Sequence, residues 1–202
     1  MSIESVGNAP RPSVPTDACD LEDMARLVSG HTGALDDLMA RHGPKLLRYL
    51  VRSLQNEEDA DDLAQETFVR VYQSRASFHP RQRFSTWLYT IASNLVRDRF
   101  RYRSRHPQVS LDAEQETTIE AERGPTPLEE METDERVAMI RAAVQELPEE
   151  LRLALILFEY EELSHAEIAE VLDCSPKAVE TRLYRARRQL RERLGRLLDR
   201  RH

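Results

Sequence analysis

Between Arg83 and Arg103 the chain reads RFSTWLYTIASNLVRDRFRYR, in which arginines are interleaved with Phe84, Trp87, Tyr89, Phe100 and Tyr102. Guanidinium groups neutralise phosphates and flat π-faces stack on bases, so this mixture suits the binding of nucleic acid. A second stretch, LSHAEIAEVLDCSPKAVETRLYRARRQL from Leu163 to Leu190, is suited to duplex DNA. Its second half presents Lys177, Glu180, Thr181, Tyr184, Arg185 and Arg188 on one side of a helix, placed to reach base edges near the N-terminus and phosphates further along. Each signal has a plainer alternative: a basic stretch can be a solvated helix face, and a single aromatic on an amphipathic helix can belong to the core. No glycine-rich phosphate loop, nucleophile-base pair or metal-ligand spacing occurs, so binding is expected and enzyme activity, metal and cofactor are not. Cys19 and Cys174 are the only cysteines, too few for a disulfide framework or a four-ligand zinc site.

The formal net charge of the 202 residues is -7, yet the cations are clustered. Nine Arg stand against Glu192 and Asp199 from Arg182 to His202, and seven Arg against Asp98 from Arg81 to Arg105. Two basic islands in an acidic protein suggest two separate contacts with a polyanion. Neither a basic segment followed by an apolar one nor an apolar run of about 20 residues is present, so a cytoplasmic protein without membrane insertion is expected.

Positioning these groups requires helices, and the spacing of apolar residues supplies them. Residues 1–19, with Pro10, Pro12 and Pro15, have little to bury and read as a disordered tail. From Asp20 the period is helical: Leu21, Met24, Ala25 and Val28, then Leu35, Leu38 and Met39 up to a break at Gly43-Pro44, then Leu46, Leu47, Leu50, Val51 and Leu54. Asn56 reads as the cap of a helix that places Ala60, Leu63, Ala64, Thr67, Phe68 and Val71 on one side, with acids crowding its first turn. Those acids read as a solvated face favoured by the helix dipole rather than a cation site, which needs convergent oxygens at loop-like spacing. After a loop over Phe78 to Arg83, Leu88, Ile91, Leu95 and Val96 face inward from the arginine-aromatic helix.

Residues 105–133 hold eight acids, two Arg and three Pro, and read as a flexible acidic linker. Helices resume at Asp134 with Val137, Ile140, Val144 and Leu147 in register, and Pro148 opens PEELRLALILFEY, a buried central helix. Ser164 and Glu167 have capping-box spacing, Asp173 to Ser175 break the helix, and Pro176 begins the next, whose inner stripe is Val179, Leu183, Ala186 and Leu190. Two helices joined by so short a turn make a helix-turn-helix. The fold class is therefore all-α, with two small helical bundles over 20–104 and 134–202.

Three motifs in this order resemble the extracytoplasmic-function (ECF) group of bacterial sigma factors. DADDLAQETFVRVYQ resembles the helix that grips the coiled coil of the polymerase β′ subunit, RFSTWLYTIASNLVRDRFR the promoter-melting and −10-reading segment, and LPEELRLALILFEYEELSHAEIAEVLDCSPKAVETRLYRAR the region that reads the −35 element. The resemblance implies a transcription initiation factor that binds core RNA polymerase, through the β′ coiled coil and the β flap, and promoter DNA. It implies polymerase contacts at Asp62, Gln65 and Glu66. The −10 and melting surface would comprise Phe84, Trp87, Tyr89, Arg97, Arg99, Arg101 and Arg103, with an extruded base near the loop from Phe78 to Phe84. An anti-sigma factor is a further implied partner. Two departures stand out: Glu180 occupies a recognition-helix position where many relatives are basic, and Asp173 a turn position usually held by glycine. The competing readings are an ordinary helix-turn-helix regulator with a sensing or dimerising domain over 20–104, and an adaptor that binds protein through the acidic helix.

Overall fold

The computed structural model describes residues 15–106 and 137–199, and all the regular structure among them is helical. Four helices form the first bundle: α1 (Pro15–Val28), α2 (Gly33–Leu54), α3 (Glu57–Ser74) and α4 (Phe84–Arg105), with a single 3₁₀ turn at Arg75–Ser77. The second comprises α5 (137–145), α6 (Glu149–Glu159), α7 (His165–Val171) and α8 (Pro176–Asp199). The tail reading for residues 1–14 and the linker reading for 107–133 lie outside the described residues, as does the helix start expected at Asp134.

Several expectations change on contact with the fold. α1 begins at Pro15, inside the segment assigned to the tail, and Asp17 in its first turn pairs with Arg83 at 3.2 Å. A proline is well placed there because the first helical N–H has no partner to lose. The buried face of α1 passes through Asp20, Asp23, Met24 and Leu27, leaving Leu21, Ala25 and Val28 outside. Polar partners explain this rotation. Arg41 donates to both carboxylates, 2.8 Å to Asp23, and His42 Nε2 lies 2.9 Å from Asp20. Buried acids are tolerated only when paired in this way.

The break expected at Gly43-Pro44 does not occur. α2 runs unbroken past Pro44, although the proline ring removes one intrahelical hydrogen bond. Leu38, His42, Leu46, Tyr49 and Leu50 on its inner face are all buried, and that packing outweighs the local cost. Asn56 caps α3 as expected, its side chain accepting from the Asp59 N–H at 2.7 Å.

In the second bundle Leu151 to Leu157 of α6 are all buried, so this helix is surrounded as its composition predicts. At roughly 1.5–3 kcal/mol per large apolar side chain, α6 is the main organiser of its domain. Ala143 and Leu147 of the preceding segment are buried, whereas Val137 and Ile140, expected inside, are exposed. The two bundles also touch each other: α4 packs against α7 and α2 against α6, and the buried side chains of both form one continuous apolar cluster.

Candidate nucleic-acid and polymerase interfaces

On α3, Asp62 and Gln65 are exposed and Glu66 is partly so, on the side opposite the buried Leu63, Thr67, Phe68 and Val71. Glu66 accepts from Arg70 Nε at 2.8 Å, an exposed pair worth about 0–1 kcal/mol. The same face carries Val69 and Tyr72, both exposed, which periodicity alone did not single out. Beside it lies a groove of about 550 Å³ lined by Glu66, Arg70, Gln73, Ser74, Ile91 and Asn94. An outward stripe mixing carboxylates, an amide and apolar groups is what a protein partner needs, and none of it serves the core.

The arginine-aromatic stretch divides into three parts. Phe84, expected on the DNA surface, is instead core: 1% exposed, with His42 at 4.9 Å and Phe78 and Trp87 each at 6.2 Å between ring centroids. Tyr89 is likewise buried. Its ring meets the edge of Tyr49 at 5.1 Å, and its hydroxyl donates to Glu161 of the second bundle. Burial, then the Glu161 charge, pushes the Tyr89 pKa upward, while burial pushes Tyr49 up to about 12. Both hydroxyls stay neutral at physiological pH, and the Tyr49 hydroxyl shares a hydrogen bond of 2.7 Å with Ser93. Trp87 is half-buried against Phe78 at 5.2 Å and retains an outward edge.

The cations sort differently. Arg99 and Arg103 both donate to Asp59 of α3, a clamp that sequence spacing did not reveal. Arg97 donates to Asn94 at 3.0 Å and reaches the Val171 carbonyl at 3.5 Å, while Arg101 is exposed beside Asp98 at 3.0 Å. Phe100 lies under the Arg152 guanidinium, 4.7 Å from its centroid. Arg152 Nε is buried without a partner among the described residues, and burial lowers its pKa.

The helix-turn-helix is built as its sequence indicates. Ser164 and Glu167 bond reciprocally, with the Glu167 carboxylate accepting from the Ser164 N–H at 2.8 Å. Asp173 takes φ 49°, the left-handed conformation that a turn glycine would supply. Ser175 Oγ accepts from the Ala178 N–H at 3.1 Å and opens α8. Val179, Leu183 and Ala186 are buried and Leu190 partly so, leaving Lys177, Glu180, Thr181, Tyr184, Arg185 and Arg188 on the exposed side. Glu180 holds Lys177 at 2.6 Å, which draws its carboxyl pKa down, Thr181 donates to the Lys177 carbonyl at 2.9 Å, and Arg188 pairs with Glu192 at 3.0 Å. Tyr184 and Arg185 have no side-chain partner among the described residues. Those residues contain no grouping of His, Cys, Asp and Glu fit to hold a metal, and no helix long and apolar enough to cross a membrane.

Comparison with known proteins decides the family. Sigma-70 region 2 matches residues 38–106 and Sigma-70, region 4 matches residues 137–190. The RNA polymerase sigma-H factor of Pseudomonas aeruginosa is 34% identical over 89% of this chain and 95% of its own. The chain belongs to the ECF group of sigma-70 factors. The ECF sigma factor SigW of Bacillus subtilis is 35% identical over 82% of this chain and 91% of its own length. Among solved structures, CnrH in complex with the cytosolic domain of CnrY superposes with a TM-score of 0.64 at 30% identity, covering 90% of this chain and 97% of that one. The sigma factor RpoE of Bartonella quintana, solved with the anti-sigma factor NepR, shares the fold with a TM-score of 0.65 at 24% identity, over 79% of this chain and 96% of that one. A role in transcription initiation follows from this membership, and the first bundle is hereafter region 2, the second region 4.

Proposed function

We propose that this sigma factor delivers core RNA polymerase to promoters by reading two elements with its two domains. α8 enters the major groove at the −35 element, and the Phe78–Arg83 loop with α4 holds the −10 element as its strands separate. The observation that carries the reading is the recognition helix. It is capped, anchored by Val179, Leu183 and Ala186, and presents Tyr184 and Arg185 uncommitted to solvent. Arg97, Arg101 and the outward edge of Trp87 are the α4 groups placed for phosphates and bases. Arg99 and Arg103 contribute to the potential of that surface from their clamp on Asp59.

Asp62, Gln65 and Glu66 dock on the β′ coiled coil, with Val69 and Tyr72 adding apolar area, and region 4 meets the β flap. An anti-sigma factor that covers polymerase-facing surface is a further proposed partner, and the structure of CnrH in complex with a protein domain, the cytosolic domain of CnrY, supports a protein partner of this kind.

Run-off transcription with purified core polymerase tests the whole reading: the protein should confer initiation at a defined start site that core alone lacks. The double variant Gln65→Ala, Glu66→Lys should abolish co-purification with core while its helical circular dichroism is unchanged. Normal core binding by that variant removes the polymerase surface from α3.

A further inference from the structure

From Pro176 to Leu190 the recognition helix carries Lys177, Arg182, Arg185, Arg187 and Arg188 and a single acid, Glu180. Arg182, Arg187 and Arg188 are engaged by other carboxylates, those of Glu150, Glu159 and Glu192. Glu180 instead accepts from Lys177 Nζ at 2.6 Å, and both side chains are exposed. The needs of the helix do not explain this pair. Its first turn contains no acid, although the dipole favours one there, and Lys177 stands in it as the disfavoured cation. The stabilising order of such a pair is also the reverse, with the acid N-terminal to the lysine. The bond from Lys177 holds the Glu180 carboxyl below its usual range, so the group is an anion at physiological pH.

Under the promoter reading of α8, on which this inference rests, that anion enters a groove walled by phosphates, in the part of the helix that reaches base edges. An ionised carboxylate only accepts hydrogen bonds, so it fits there only opposite a donor on a base. The major groove offers two, the amino groups at adenine N6 and cytosine N4. Adenine N6 lies between two acceptors, its own N7 and O4 of the paired thymine, and both oppose a carboxylate. Cytosine N4 has one such neighbour, O6 of the paired guanine, and a lysine beside the carboxylate can donate to it.

We propose that Glu180 and Lys177 together read one C·G pair of the −35 element, Glu180 accepting from the cytosine N4 amino group while Lys177 donates to guanine O6. The two charges cancel, so the pair contributes base choice and little general attraction to phosphate. Arg185 lies five residues further on, about 7.5 Å of helix rise, and reads a different base pair.

The test uses holoenzyme on a promoter library with a randomised −35 element, and sequencing of barcoded transcripts gives the base preference at each position. Wild type should favour C at one position by about tenfold. Glu180→Gln should move that preference to A, because an amide pairs with adenine N6 and N7, and Glu180→Ala should leave the position without preference. Arg185→Ala should relax a different position and keep the choice of C. An unchanged preference for C in both Glu180 variants overturns the pair reading, as does a uniform loss of initiation on all templates, since Glu180 would then act without regard to sequence. In either case a position relaxed by Arg185→Ala leaves the promoter reading of α8 standing. Absence of any −35 preference in wild type overturns both.

Discussion

The arginine-aromatic helix α4 and the recognition helix α8 have similar compositions and opposite fates. Both are long, cationic and carry aromatics, yet α4 buries Phe84 and Tyr89 and commits Arg99 and Arg103 to Asp59, whereas α8 keeps Tyr184 66% exposed and leaves Arg185 free of partners among the described residues. The difference lies in what each helix packs against. α8 is anchored along one stripe to its own small domain, so its polar face has nowhere to go but water. α4 is covered on more sides, by α2 and α3 of its own domain and by α7 of the other. Composition reports what a surface can bind, and only packing reports whether it is presented.

The largest effect separating the two helices should come from matched aromatic truncations. Phe84→Ala should cost region 2 about 3–5 kcal/mol by leaving a cavity among His42, Phe78 and Trp87, whereas Tyr184→Ala should change stability by less than about 0.5 kcal/mol. Chemical denaturation followed by circular dichroism measures both. A mild Phe84→Ala would mean that the ring can leave the core and is available to DNA after all.

A smaller effect concerns reading along α8 itself. Arg185→Ala should lose about 1–3 kcal/mol of specific affinity and relax preference at one −35 position, measured by competition with base-substituted duplexes. Arg191→Ala should weaken all duplexes alike and lower the salt slope by about one. Equal, sequence-independent losses in both variants would make α8 a phosphate-binding helix without base readout.

The smallest effect is in pH dependence. Burial raises the Glu167 pKa, but the bonds from Ser164 and Arg83 outweigh it and hold the carboxyl below the usual 4.5. Its stabilisation of α7 is therefore fully present above about pH 4.5 and is lost as the pH falls through the lower folded value. Thermal melts in buffers below about pH 4.5 should show a destabilisation that Glu167→Gln flattens. Glu180→Gln on the exposed face of α8 should leave that limb in place.

Much of this was legible in the residues. Local signals read correctly: Asn56, and Ser164 with Glu167, cap the helices they were expected to cap, and the break expected at Asp173 to Ser175 forms, with Asp173 left-handed. Caps and turns are decided within a few residues, so sequence contains their cause. Three of the misreadings needed a distant partner. Asp20 and Asp23 turn inward because Arg41 and His42 meet them, α2 survives Pro44 because its neighbours hold it, and Tyr89 is buried because Glu161 lies across a domain boundary. Periodicity cannot anticipate charges twenty or seventy positions away. The α3 face was proposed at Asp62, Gln65 and Glu66 by resemblance, while Val69 and Tyr72 became visible only once the inner stripe was fixed.

The most direct test of the account compares footprints of the free protein and of its holoenzyme on a promoter selected from a genomic library by run-off transcription. The free protein should protect at most the −35 region, weakly and with strong salt dependence, and leave the −10 thymines unreactive to permanganate. Holoenzyme should protect both elements and render those thymines reactive. Protection of both elements by the isolated protein at physiological salt would contradict the account, since region 2 would then be presented to DNA without polymerase.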